Sequence, residues 1–198
     1  AEVLLRNKVA EVELNIPKLN NLCNYKLAEA IAEGMLHATY KFDKFKSEKK
    51  ETPELIVNYN PIPGKEHRAE KGIDEAKKLI ESIFLTRDLV NQPANVIYPE
   101  TLADITKERL EAKGVKVTVY GKKEIEEIGM EAFLTVARAS AKEPKLIVME
   151  YYNNPESDER IALVGKGLTY DSGGYAIKPA TGMVDMHTDM GGAGTVIG

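Results

Sequence analysis

The residues of this sequence that could do chemistry are concentrated between Lys166 and Asp189. The stretch holds two lysines, Lys166 and Lys178, and three acids, Asp171, Asp185 and Asp189, among several glycines. Carboxylate oxygens are ligands that divalent cations prefer, and glycine lets the backbone approach a bound group closely. The stretch therefore predicts a two-metal site, with Asp171 and Asp189 as candidate metal ligands.

The two lysines suit different roles. A free lysine amine has a pKa of about 10.4, so holding it neutral at pH 7 costs roughly 4 to 5 kcal/mol. A dication held by carboxylates can offset this cost, because ligand groups lose their protons on binding. Lys166 is therefore a candidate metal ligand, with a solvated lysine or a salt bridge to Asp171 as the alternatives. Lys178 could instead stay charged and face a developing oxyanion.

A phosphate-binding loop is disfavoured, although Gly165-Lys166-Gly167 follows an apolar segment. A P-loop needs Gly at position 160 and Ser or Thr at 167, where this chain has Arg160 and Gly167. A dinucleotide fingerprint would need Gly at 170, which is Tyr170. Both mismatches argue against nucleotide chemistry at this position.

The elements around the lysines and acids predict an α/β fold with a doubly wound, parallel-rich sheet. Ile161 to Val164 is predicted as a buried strand, and sites in open α/β sheets lie beyond the carboxyl ends of strands. Strands alternate with helices from Pro99 onward. The other strands are expected at Val115–Tyr120, Phe133–Ala137 and Lys145–Tyr152, with helices from Thr101 to Gly114 and Lys122 to Gly129.

The first half predicts a small α/β domain joined by a long helix to the part that holds the candidate metal site. Strands are expected at Val9–Ile16 and Glu54–Asn60, a helix at Tyr25–Tyr40, a solvated loop at Lys41–Thr52, and the long helix at His67–Asn91. Gly34 lies inside the first helix and suggests that this helix packs closely against a neighbour. A Pro/Gly turn before Lys65 then gives domains of 1–64 and 93–198 with a linker helix at 65–92.

Composition favours a soluble cytoplasmic protein. Apolar residues make up 43% of the chain and the net charge is −4, so neither nucleic acid nor a membrane surface is indicated as a partner. The amino-terminal residues lack the layout of a signal peptide, and no apolar run is long enough to span a membrane. Cys23 is alone, which excludes an internal disulfide.

The combination of motifs resembles the leucyl (cytosol) aminopeptidases, peptidase family M17. The signature reads Lys166-Gly-Leu-Thr-Tyr-Asp171-Ser-Gly-Gly-Tyr-Ala-Ile-Lys178-Pro, followed by Met183, Met186 and Asp189-Met-Gly-Gly192. Tyr170 departs from the family's usual Phe, so its hydroxyl needs a partner. Upstream, the resemblance includes Glu33-Gly34, Tyr40-Lys-Phe-Asp-Lys-Phe-Lys46, and Arg87-Asp-Leu-Val-Asn91-Gln-Pro-Ala-Asn95 with Pro99.

The resemblance implies a role for each candidate residue. Lys166 would bind one metal through its neutral amine, Asp171 would bridge both metals, and Asp189 would complete the Lys166 site. Lys178 would be catalytic and substrate-binding, because it would polarise the scissile carbonyl and stabilise the gem-diolate. Met186 would line the pocket for the first side chain of the substrate, with a plain core methionine as the alternative. A water bridging the metals would attack the peptide carbonyl.

The resemblance further implies two divalent metal ions, Zn or Mn, peptide substrates with leucine-like amino-terminal residues, a homo-hexamer, and a bicarbonate in the full-length protein. The family's other ligands, in an N-T-D-A-E-G-R motif, belong downstream of Gly198. Asp171 and Asp189 cannot balance the four positive charges of two dications. We therefore expect a partial sequence of an aminopeptidase that is inactive as 198 residues. The alternatives are a non-catalytic piece or assembly subunit and, less expected, a nucleic-acid-binding role.

Overall fold

The computed structural model describes residues 1–15, 23–49, 54–175 and 177–198. They divide into two compact units, Ala1–Phe84 and Leu85–Gly198. The helices are α1 (Glu2–Arg6), α2 (Asn24–His37), α3 (Glu66–Asn91), α4 (Pro99–Glu111), α5 (Lys122–Ile128), α6 (Glu131–Ala137), α7 (Ala180–Met183) and α8 (Gly191–Ile197), with a 3₁₀-helix at Met186–Met190. The strands are β1 (Glu11–Asn15), β2 (Ile56–Asn60), β3 (Lys116–Tyr120) and β4 (Leu146–Glu150).

The first unit is built on a parallel pair of strands, β1 and β2, connected by a crossover that contains α2. Val12 and Leu14 stand opposite Val57 and Tyr59, and all four side chains are half-buried. The alternation that predicted two strands is confirmed, although Ile16 lies outside the described residues. Residues 50–53, at the end of the predicted solvated loop, also lie outside them.

The close approach of two helices in this unit is made by Gly72, in α3. A Cβ atom on Gly72 would lie 2.4 Å from the carbonyl oxygen of Tyr25, in α2. At Gly34, no neighbouring atom of the residues that the structure describes lies within 4 Å of the corresponding position. The prediction that Gly34 marks close packing is therefore wrong, because helical position alone does not tell which face of α2 meets a neighbour.

The second unit begins with the end of α3 and continues through α4, which begins at Pro99 and not at the predicted Thr101. Pro99 takes the first helical position, where the missing N–H group costs nothing. Thr101 Oγ1 accepts a hydrogen bond from the Tyr98 backbone N–H at 3.0 Å and donates one to the Val96 carbonyl at 2.7 Å. Thr101 thus closes the amino-terminal end of α4 from inside its first turn.

The strands β3 and β4 pair in antiparallel fashion. Two short helices, α5 and α6, connect them and return the chain beside β3 in the opposite direction. In the described residues, β3 and β4 form a two-stranded sheet of their own. The α/β class is confirmed, with one parallel and one antiparallel pair in the part of the chain that the structure describes.

The strand predicted at Phe133–Ala137 is wrong, because these residues lie in α6. Leu134 is buried, Phe133 and Ala137 are half-buried, and Val136 is 63% exposed. The covered residues Phe133, Leu134 and Ala137 are spaced as on one face of a helix. In a strand, every second side chain would be covered instead. Thr135 Oγ1 also donates to the Glu131 carbonyl four residues earlier, at 2.8 Å.

The prediction of a buried strand at Ile161–Val164 is also wrong for this structure. Residues 159–168 form neither helix nor strand, and the side chains of Ile161, Leu163 and Val164 are 91%, 73% and 95% exposed. A buried strand needs hydrogen-bonded neighbours and covered faces. The described residues pair no strand with this segment.

The core of the second unit holds the 3₁₀-helix and α8 in place. Leu89, Ile97, Leu102, Met190 and Ile197 are at most 3% exposed and form one cluster. Full burial of such a side chain contributes about 1.5 to 3 kcal/mol. The segment that carries Asp189 is therefore anchored through its neighbour, Met190. No helix in the described ranges has the length and apolarity needed to cross a membrane.

One cross-strand ion pair predicts a pH dependence of stability. Lys116 stands opposite Glu150, with Nζ 2.7 Å from Oε2. The hydrogen bond from Lys116 lowers the pKa of Glu150 below its usual 4.5, and the same contact raises the pKa of Lys116. Because the folded-state pKa of Glu150 is depressed, its stabilisation is present above about pH 4.5 and is lost as the pH falls through the folded-state value.

We therefore expect Glu150→Gln to lower the free energy of unfolding at pH 7 and to have little effect near pH 3. Urea unfolding of both proteins at several pH values measures this difference. Glu108→Gln, the same chemical change at an exposed position of α4, is the matched control. If the two free energies of unfolding differed by the same amount at every pH, the stabilising role of the Lys116–Glu150 ion pair would be contradicted.

Candidate active site

The backbone around Lys166 crosses the start of α8 at very short range. The Lys166 carbonyl accepts a hydrogen bond from the Ala193 N–H at 2.8 Å. A Cβ atom on Gly165 would lie 2.4 Å from the Gly192 carbonyl oxygen, and one on Gly192 would lie 2.8 Å from the Lys166 nitrogen. Glycines at both positions therefore allow the crossing that brings Lys166 beside the 3₁₀-helix.

Lys166 is brought together with Asp189. The Lys166 Nζ atom lies 2.9 Å from Asp189 Oδ2, with the side chains 62% and 24% exposed. This oxygen is buried from solvent but lacks a hydrogen bond of good geometry, so the contact is an ion pair. The Asp189 carboxylate raises the pKa of the Lys166 amine. The ion pair considered for Lys166 thus exists, but its partner is Asp189 and not Asp171.

Asp171 is brought together with Lys178 across a tight turn. Lys178 Nζ donates to Asp171 Oδ2 at 2.8 Å, while the Gly173 N–H donates to Oδ1 at 2.7 Å. Gly173 has φ +81°, a conformation that glycine adopts without strain. The two hydrogen bonds, with Lys178 the larger influence, lower the pKa of Asp171. Asp171 is therefore held as a carboxylate.

Met186 is the second partner of Lys178. The Lys178 Nζ atom lies 2.9 Å from the Met186 Sδ atom in hydrogen-bonding geometry. Met186 begins the 3₁₀-helix that also contains Asp189. Lys166, Asp171, Lys178 and Asp189, here named the lysine–aspartate cluster, thus form two ion pairs, and Met186 joins one pair to the segment that carries the other.

Two further residues of the stretch have structural contacts. The Tyr170 hydroxyl donates to the Met183 carbonyl at 3.2 Å, which gives the hydroxyl the partner that the sequence required. Asp185 is exposed, and its carbonyl oxygen accepts hydrogen bonds from Thr188. The structure therefore places Asp185 before the 3₁₀-helix, with no contact to the lysine–aspartate cluster among those it describes.

The described residues hold no group of three or more His, Cys, Asp or Glu side chains arranged for a metal ion.

A cleft of about 600 Å³ lies elsewhere in the second unit, between α5, α6 and the loop after α6. Lys122, Glu126, Glu131 and Arg138 contribute charges of both signs to it. It shares no residue with the lysine–aspartate cluster.

Sequence reasoning missed the residues that position this cluster. Gly165 and Gly192 allow the backbone crossing. In the sequence, Gly165 was marked only by its position before Lys166, and Gly192 only by its position shortly after Asp189. The contact between Lys178 and Met186 had no signal, because a spacing of eight residues through an irregular segment does not predict contact.

Comparison with known families identifies both halves of the chain. Residues 84–198 match the model of the cytosol aminopeptidase family, catalytic domain. Residues 1–49 match the model of the same family's N-terminal domain. The catalytic-domain match includes every member of the lysine–aspartate cluster and covers more than half of the chain.

Similar proteins agree with these matches. A probable cytosol aminopeptidase of Treponema denticola is 82% identical over 198 residues, and one of Clostridium tetani is 47% identical over 196 residues. The alignments cover 100% and 98% of this chain. The chain spans only 42% and 41% of the length of these two relatives.

Solved structures of relatives have the same fold. The bottromycin maturation enzyme BotP in complex with Mn has a TM-score of 0.80 at 28% identity, over 99% of this chain and 41% of that one. A mutant of tomato leucine aminopeptidase has a TM-score of 0.82 at 28% identity, over 98% of this chain and 38% of that one. Together with the two family matches, these similarities establish that the chain belongs to the cytosol aminopeptidase family, peptidase family M17.

Proposed function

We propose that the full-length protein, the product of the complete reading frame that contains these residues, is a metal-dependent aminopeptidase. It removes amino-terminal, leucine-like residues from peptides. The observation that carries the proposal is the lysine–aspartate cluster: two lysines and two aspartates paired at 2.8 and 2.9 Å, within the segment that matches the family's catalytic domain. Peptide substrates are supported by the names of the relatives.

The residues of the cluster fit a divalent cation. Asp189 Oδ2 is buried and lacks a hydrogen bond of good geometry, with the Lys166 ammonium as its charged neighbour at 2.9 Å, and a bound cation could take the place of that ammonium. Lys166 and Asp189 would hold one ion, and Asp171 would contribute to both. Metal ions held there would supply Lewis-acid activation of the peptide carbonyl and of a water nucleophile.

The remaining roles belong to residues of the chain itself. Lys178 carries a charged amine on a side chain that is 31% exposed, so a substrate oxygen can reach it. It would donate a hydrogen bond to the scissile carbonyl oxygen and stabilise negative charge as that charge develops. Met186 would contact the first side chain of the substrate.

Loading of the Lys166 position requires a proton to leave. The Asp189 carboxylate raises the pKa of Lys166, so the amine of this structure is an ammonium and cannot bind a metal. A divalent cation held by the Asp189 carboxylate would remove this stabilisation and would favour the neutral amine of Lys166. Loss of that one proton would offset only one of the two charges of the cation.

The finer features of the proposal come from family resemblance. The two metals are Zn or Mn, of which the Mn complex of BotP supports Mn, and the full-length protein binds bicarbonate and assembles as a homo-hexamer. A cytoplasmic location is supported by the names of the relatives. We also propose domains of 1–64 and 93–198 with a linker helix at 65–92.

The test is hydrolysis of leucine p-nitroanilide by the full-length protein. We expect chelation to abolish the activity and Mn or Zn to restore it. Lys178→Ala should lower kcat about 10²-fold with a small change in KM, as for the loss of one donor to a developing oxyanion. Steady-state kinetics on the metal-loaded variant measures this.

Lys123→Ala removes an exposed lysine of α5 and should keep wild-type kinetics. The 198-residue chain is the negative control, because two aspartates cannot balance two dications. A wild-type kcat in Lys178→Ala would refute the role of Lys178. Activity that survives complete metal removal would refute the metal-dependent mechanism.

A further inference from the structure

Lys178 is held at four points, and three of them are local. Its backbone N–H donates to the Ser172 carbonyl at 3.1 Å. Its Cγ atom lies against Gly173, where an added Cβ would be 3.1 Å away. Its Nζ atom donates to Asp171 at 2.8 Å. These contacts tie the lysine to its own turn but leave its relation to the next segment unspecified.

The fourth contact, with Met186 Sδ at 2.9 Å, links Lys178 to the 3₁₀-helix. That helix is anchored by the fully buried Met190 and carries Asp189. A lysine ammonium has three donors, and a thioether sulfur is a weak acceptor. With Asp171 and Met186 as partners, one donor remains without a partner among the described residues and can meet a substrate oxygen.

We propose that Met186 is a positioning residue for Lys178, in addition to any contact with the substrate's side chain. Its thioether accepts an N–H of the ammonium and sets the distance between Lys178 and the segment that carries Asp189. This inference rests on the proposed function. It goes beyond that function because it assigns the sulfur atom, and not only the apolar bulk of Met186, a part in the reaction.

Two substitutions separate the sulfur's role from that of apolar bulk. Met186→Leu keeps the apolar volume but removes the acceptor, whereas Met186→Gln keeps the length and supplies a stronger acceptor. If Met186 only lines an apolar pocket, Leu should preserve activity and Gln should lower it. If Met186 positions Lys178, the order is reversed.

We expect Met186→Leu to lower kcat about fivefold, because a weak acceptor for a charged donor is lost, with KM changed less than about twofold. Met186→Gln should retain kcat within about twofold. The measurement is steady-state kinetics of leucine p-nitroanilide hydrolysis by the metal-loaded, full-length protein. A wild-type kcat in Met186→Leu, with or without loss in Met186→Gln, overturns the proposal.

A second readout does not need activity. In full-length protein labelled with methyl-¹³C methionine, the Met186 signal is assigned by its loss in Met186→Leu. Lys178→Ala should shift this signal, and Lys123→Ala should leave it in place. An unmoved signal in Lys178→Ala overturns the proposal, also where both Met186 variants have lost activity.

The two readouts separate this inference from the proposed function. An inactive wild-type protein with a Met186 signal that responds to Lys178→Ala would contradict the aminopeptidase assignment alone. If the wild-type protein is active and Met186→Leu has a higher kcat than Met186→Gln, the positioning role alone would be contradicted.

Discussion

Asp171→Asn is expected to lower kcat/KM of the full-length protein by at least about 10³-fold and to lower its bound metal content. The Gly173 N–H donates a hydrogen bond to Asp171 Oδ1, with 2.7 Å between nitrogen and oxygen. Asparagine keeps an oxygen that can accept this hydrogen bond. The turn can therefore persist while the negative charge is lost. Removal of a carboxylate proposed to serve both metals takes away several kcal/mol of charge stabilisation, and each 1.36 kcal/mol is a factor of ten in rate.

The measurement combines kinetics with metal analysis of the purified variant after dialysis. Asp104→Asn makes the same chemical change at an exposed position of α4 and should keep both wild-type activity and metal content. Full metal occupancy in Asp171→Asn would contradict its role as a ligand, whatever the rate. A thermal unfolding curve on the same sample tests whether the variant is folded.

Gly165→Ala is expected to have the largest effect on folding of the second unit. The new Cβ atom would lie 2.4 Å from the Gly192 oxygen and 2.7 Å from the Ala193 Cα atom. These are backbone atoms, so no side-chain rotation relieves the clash. We expect the free energy of unfolding to fall by roughly 3 kcal/mol, the upper end for overpacking. Displacement of Lys166 from Asp189 should also lower metal content and activity.

A graded series of glycine substitutions provides the controls for urea unfolding. In Gly167→Ala, the new atom would meet the Ala193 Cβ at 3.2 Å and no other atom of the described residues within 4 Å, so a smaller loss is expected. In Gly34→Ala, the described part of the chain places no neighbouring atom within 4 Å of the new atom, and alanine in a helix should stabilise by about 0.5 to 1 kcal/mol. Equal stability of Gly165→Ala and the wild type would show that the crossing of Lys166 over α8 is not tight.

Long or strongly patterned elements were predictable from the sequence. The alternating apolar and polar residues of β1 and the apolar residues at helical spacing in α3 each mark the one covered face of the element. Such a pattern can be recognised from the sequence alone. Pro99 and Thr101 indicated where α4 begins, although the N-cap is Tyr98 and Thr101 lies inside the first turn. Short apolar runs were not predictable: Phe133–Ala137 is a helix, and Ile161–Val164 is an exposed segment.

For the candidate site, sequence predicted the members but not their pairing. The types and order of Lys166, Asp171, Lys178 and Asp189 identified the family's signature. Their pairing depends on how the chain crosses α8 and turns at Gly173, and such irregular backbone has no periodic pattern. The sequence therefore offered Asp171 as the ion-pair partner of Lys166, whereas the crossing at Gly165 brings Asp189 there.

The exposed apolar segment Ile161–Val164 has a consequence for the colloidal behaviour of the 198-residue chain. Extended apolar segments with unpaired backbone groups can template pairing with a second polypeptide. Here a charge stands at each end, Arg160 before the segment and Lys166 shortly after it. Flanking charges of this kind act as gatekeepers, because in-register stacking of identical chains would place like charges together. The Lys166 charge is compensated by Asp189 in this structure, so the exposed Arg160 is the charge that would oppose aggregation of the chain.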